Sequence, residues 1–164
     1  MTSRRRRRVN RRGMALAVEQ WMGAAGFWLT LAVTGFALWK GGRPEQAAVI
    51  GNLLAVLISP RLQPPPNAAP PFWAVAVVDT AVLLLLIVLL IRTGGRRRWL
   101  FAAGGVQLLT VLVHVGAALD VSLQPRGYIA ALETPYFVLL IVFTAGVIEA
   151  WRKGATQPLC FRGP

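Results

Sequence analysis

Four stretches of this chain are almost free of charge and close to the length of a bilayer crossing: residues 21–39, 72–91, 99–119 and 135–151. A helix needs about 20 apolar residues to cross the hydrocarbon core. The first stretch has Trp21 and Trp39 at its ends, where interfacial aromatic residues sit. The last is slightly short but ends on Trp151, Arg152 and Lys153. Its start is open: Thr134 reads as an N-cap with Pro135 in the first turn, or the helix starts near Arg126 and Pro135 lies inside it.

A fifth apolar segment, 45–59, is shorter and is followed by Pro60 and by Pro64, Pro65 and Pro66. Ile50, Leu53, Leu54, Leu57 and Ile58 share one helical face, with Gln46, Asn52 and Ser59 away from it. That pattern predicts a short helix at the interface or packed on the rim of the bundle. Residues 60–71 hold six prolines and read as an extended loop.

The pattern predicts an all-α fold: a polytopic membrane protein with a four-helix transmembrane bundle and one short interfacial or rim-packed helix. Residues 1–13 form a basic disordered tail in this reading, 14–153 the helical domain and 154–164 a C-terminal tail. No internal repeat is evident.

Charge placement sets the expected threading. Seven of the 18 basic residues are Arg4, Arg5, Arg6, Arg7, Arg8, Arg11 and Arg12, and Arg96, Arg97 and Arg98 form a second group. With four spans the basic residues divide fourteen inside and four outside; with five, nine and nine. The positive-inside rule favours four, with both termini in the cytoplasm. The apolar run that follows the arginines is too long, and lacks a small-residue cleavage pattern, for a signal peptide. Met14 is a second candidate start, and the four-span count survives it.

The net charge of +12 raises the question of nucleic acid. The arginines flank apolar runs and are not interleaved with aromatic residues, so orientation and attraction to anionic lipid headgroups explain them better. Cys160 is the one cysteine, so no internal disulfide exists, and no metal-ligand spacing is present. No HExxH, CxxC, nucleophile elbow or Walker loop occurs. The expectation is a non-enzymatic chain with no cofactor.

Ionisable residues inside a span are costly and informative. Asp79 and His114 fall at similar depth in two neighbouring spans, close enough for a charge-assisted hydrogen bond. Gln107, Thr110 and His114 share a helical face. This set is the candidate intramembrane polar site, either a relay or small polar cavity, or a clasp that fixes helix pairing. Gly26, Thr30 and Thr34 recur at four-residue spacing and predict close helix packing. Asp120 and Glu133 read as solvated residues of an outer loop.

The stretch 78–120 contains Asp79, the turn Arg96-Arg97-Arg98-Trp99 and Gln107-Leu108-Leu109-Thr110-Val111-Leu112-Val113-His114. With Gly127-Tyr128-Ile129-Ala130 it resembles uncharacterised small bacterial inner-membrane proteins. The likeness covers about a third of the chain, and the arginine tail departs from it. It implies a bacterial inner (plasma) membrane address and no particular activity. The leading expectation is a structural or accessory subunit of a membrane assembly, bound to lipid and to other membrane subunits. The alternative is a small transporter or proton-coupled channel that uses the Asp79–His114 pair.

Overall fold

The computed structural model describes residues 3–63, 70–120 and 124–154, with side chains from Trp21 onward, Met22 excepted. The chain folds into five helices: α1 (Ser3–Lys40), α2 (Arg43–Leu62), α3 (Trp73–Arg92), α4 (Arg98–Leu119) and α5 (Pro125–Arg152). Among them α3, α4 and α5 are long and apolar enough to cross a membrane.

Three pairs of contacts give the helix directions. In α1, Gly26 lies against Tyr136 and Lys40 lies over Trp151, so α1 and α5 run parallel. Gly51 of α2 abuts Leu85 of α3, while Glu45 at the start of α2 meets Trp99 at the start of α4. His114 near the end of α4 meets Tyr128 in the first turn of α5. The bundle therefore alternates down its whole length. One end holds the Gly41-Gly42 turn, the turn between α3 and α4, and the end of α5. The opposite end holds the loop after α2, the loop after α4 and the start of α5. These are called below the glycine-turn end and the proline-loop end.

This arrangement does not confirm the four-crossing expectation. That topology puts Lys40 and Arg97 on opposite faces and requires α1 and α5 to be antiparallel. Here Glu45, five residues after Lys40, lies beside Arg97, and α1 and α5 are parallel. The apolar part of α1 and the end of α5 therefore leave from opposite ends of the bundle.

α2 is 20 residues long, about 30 Å. Glu45 caps its start by accepting the Gly42 N–H at 3.1 Å. Pro60 does not end it, because only two helical residues follow and Arg61 donates to the Leu57 carbonyl at 3.0 Å. Nor does its apolar face look inward. Leu54, Leu57 and Ile58 are exposed, while Glu45, Gln46 and Asn52 are buried against the bundle.

The same inversion holds elsewhere. Leu84, Ile91, Phe101, Leu112 and Ile141 point outward, and Thr30, Gln107, Thr110 and His114 point inward. In water such a surface would be a large exposed apolar patch. In lipid it is the expected one. The core between the helices is built on Leu86, Leu100, Leu139, Phe143 and Val147.

Two further expectations resolve in the backbone. α5 starts at Pro125 and carries Pro135 inside it, the second of the two readings of that segment. α1 runs from Ser3 and so includes residues 4–12; arginine is a good helix former and neither glycine nor proline interrupts them. The side chains of Arg4, Arg5, Arg6, Arg7, Arg8, Arg11 and Arg12 lie outside the described residues, as do loop residues 64–69 and all of 155–164, Cys160 included.

Candidate functional site

Two carboxylates are drawn into the bundle, one near each end. At the proline-loop end, α3 contributes Asp79, α4 contributes Gln107 and His114, and α5 contributes Tyr128. His114 Nε2 lies 2.8 Å from Asp79 Oδ2, and His114 Nδ1 lies 2.5 Å from the Tyr128 hydroxyl. The Tyr128 oxygen accepts the Phe72 N–H at 3.2 Å. Gln107 Nε2 donates to Asp79 Oδ1 at 3.3 Å and to the Asp79 carbonyl at 3.0 Å.

One assignment of hydrogens satisfies every member: the phenol, which accepts from Phe72, donates to His114 Nδ1, and the imidazole donates from Nε2 to Asp79. His114 and Gln107 are buried, but the Asp79 side chain keeps 20% of its surface open.

That open side faces a cavity of about 260 Å³ between α2, α3, α4 and α5. Asn52, Asp79, Gln107 and Thr110 lie on its wall, together with Glu133 and Tyr136. No lysine, arginine or histidine lines it among the described residues. Ser59, Pro60, Gln63 and Phe72 also line it, so it reaches the proline-loop end.

At the glycine-turn end stands a closed cluster. Glu45 is 1% exposed. Its Oε1 accepts the Trp99 indole N–H at 3.0 Å and lies 3.6 Å from an Arg97 guanidinium nitrogen. Its Oε2 accepts the Gly42 N–H. Gln46 donates to the carbonyls of Leu38 and Gly41, both at 3.2 Å. Trp99 in turn presses on Gly146, where an added Cβ would lie 2.6 Å from the indole ring. This cluster ties the α1–α2 turn to the start of α4.

The structure thus brings Asp79, Gln107 and His114 into one network, with Thr110 beside it on the cavity wall. Gly26 and Thr30 are engaged elsewhere: Thr30 donates to the Gly26 carbonyl at 3.0 Å and pairs with the Tyr136 hydroxyl, which itself donates to Gly26 at 2.8 Å. That is packing of α1 on α5 within one chain. Thr34 is buried with its hydroxyl unpartnered among the described residues. Of the arginine turn, Arg97 meets Glu45, whereas Arg96 and Arg98 are exposed.

Sequence reasoning passed over Tyr128, Asn52, Glu133 and Glu45. The signals were present. Tyr128, Leu132 and Tyr136 repeat at helical spacing once α5 starts at Pro125. Glu45, Asn52 and Ser59 recur every seven residues along one face of α2, a polar stripe that reads as solvent-facing only if the helix lies at an interface. Glu133, expected in solvent, is half-buried on the cavity wall.

Among the described residues no group of three His, Cys, Asp or Glu side chains is placed to hold a metal ion. In comparison with known proteins, no family model, no curated protein and no solved structure matches this chain.

Proposed function

We propose that this chain is a small integral membrane protein that crosses the bilayer five times and handles a solute or a proton through the cavity at its proline-loop end. The observation that carries this reading is the Asp79–His114–Tyr128 chain on a cavity wall. A clasp serving only helix pairing has no need of an open carboxylate edge, and an accessory subunit has no need of the cavity.

The chain of bonds suits proton movement. A proton arriving at the Tyr128 oxygen allows the phenol hydrogen to pass to His114 Nδ1. The Nε2 hydrogen passes to Asp79 in the same step. The imidazole stays neutral with its hydrogen now on Nδ1, and Asp79 is protonated facing the cavity. The test is proton flux in liposomes holding the purified protein. Asp79→Asn and His114→Ala are expected to abolish flux at wild-type abundance. Unchanged flux in both variants excludes the relay.

The outward apolar faces of α1 to α5 and the 20-residue length of α2 support five crossings. The connections and the C-terminal segment then put nine basic residues at the glycine-turn end and two, Arg61 and Arg126, at the other, with the N-terminal arginines counted apart. Adding the seven N-terminal arginines to the other end makes the division nine and nine; the connection charges alone favour a cytoplasmic glycine-turn end in an inner membrane. The C-terminus is then cytoplasmic and the start of α1 external, and the cavity opens to the outside. In intact cells Cys160 is expected to resist a membrane-impermeant thiol reagent; ready labelling reverses the orientation.

A further inference from the structure

We infer that the cavity beside Asp79 takes a small organic cation, of the class of a protonated alkylamine. The inference rests on the reading of this cavity as the solute site and names its ligand chemistry. The chain carries 18 basic and six acidic residues. Yet the charged side chains on the cavity wall among the described residues are two carboxylates, Asp79 and Glu133. A positive chain has thus gathered negative charge at one internal place. His114 holds Asp79 through Oδ2 at 2.8 Å, and the Asp79 side chain still keeps 20% of its surface open beside the cavity.

Asn52 supplies an independent observation. It is 5% exposed and lines the cavity. Its side-chain amide has no hydrogen-bond partner among the described residues. Its carbonyl is an acceptor for an ammonium hydrogen, and so is the Thr110 hydroxyl oxygen on the same wall. Phe72 and Tyr136 add aromatic surface of the kind that attracts organic cations. A divalent metal is the poorer occupant, since two carboxylates are too few protein ligands for it. An anion would meet two like charges.

The experiment uses the full chain in lipid nanodiscs and three probes of equal size: n-butylammonium, n-butanol and n-butyrate. Calorimetric titration is expected to show saturable binding of n-butylammonium and none of n-butyrate. Glu133→Gln should weaken it about tenfold or more. Asn52→Leu is a second variant, on another helix, with the same expected direction. Equal binding of butanol or butyrate, binding unaffected by both variants, or no binding at all overturns the assignment. Proton flux in liposomes without amine separates the two proposals. Flux without ammonium binding leaves the relay and removes the cation site, and binding without flux does the reverse.

Discussion

Glu45 and Asp79 are both acidic residues drawn into a helical bundle, but their surroundings differ. Glu45 is closed in: both oxygens accept N–H groups, a guanidinium stands nearby, and no face is open. Asp79 is held as firmly, by His114 and Gln107, yet keeps a fifth of its side-chain surface toward a cavity. The first arrangement can only hold helices together. The second holds helices together and leaves a charge for something else to meet. Burial alone therefore does not mark a functional carboxylate; an open edge on an otherwise satisfied group does.

The comparison breaks first at Glu45. Glu45→Ala leaves the Trp99 indole N–H and the Gly42 N–H unpartnered and removes the anion beside Arg97. Each buried N–H left without its acceptor costs about 1–3 kcal/mol. The expected outcome is severe loss of folded protein, read as the monodisperse fraction after extraction in mild detergent. A variant as abundant as wild type would mean that the closed cluster holds nothing together.

A smaller loss is expected one layer away. Gly146→Val forces atoms into the Trp99 ring, which the Glu45 bond and Phe143 hold in place; overpacking of this kind costs about 1–3 kcal/mol. Gly51→Ala also meets a close atom, but that atom is the tip of Leu85, a flexible side chain that can turn aside. Melting in detergent should therefore fall clearly for Gly146→Val and only slightly for Gly51→Ala. The reverse order would show that the helix contact at Trp99 is loosely packed.

Legibility in the sequence followed the same division. The helical class came from run length and charge placement, because lipid imposes both on any spanning segment. The depth match between Asp79 and His114 was readable too, since it needs only the short turn between α3 and α4. The role of α2 was not. Its apolar face looks the same whether it meets a neighbouring helix, an interface or lipid, and only packing decides which. Once α2 was assigned to the rim, Glu45 and Asn52 lost their place in the interior, and the charge count then pointed to an even number of crossings. Tyr128 was hidden by the open start of α5: a helix starting at Pro135 leaves that residue in a loop, whereas one starting at Pro125 aims it at His114.

The smallest expected effect on stability is at Asn52, and it sharpens the comparison most. If the cavity residues served packing alone, truncating or replacing them would cost stability, as at Glu45. Asn52 makes no hydrogen bond to the protein among the described residues, so Asn52→Leu removes an amide that faces the cavity without a protein partner and adds apolar volume on the wall that Ala55 and Val56 share. Replacing such a group by an apolar one of similar size is close to neutral or mildly stabilising, within about 1 kcal/mol. The melting temperature in detergent should hold or rise while n-butylammonium binding falls. A drop in melting temperature like that of Gly146→Val would instead make Asn52 a packing residue, and the contrast between the closed and the open end of the bundle would lose its clearest marker.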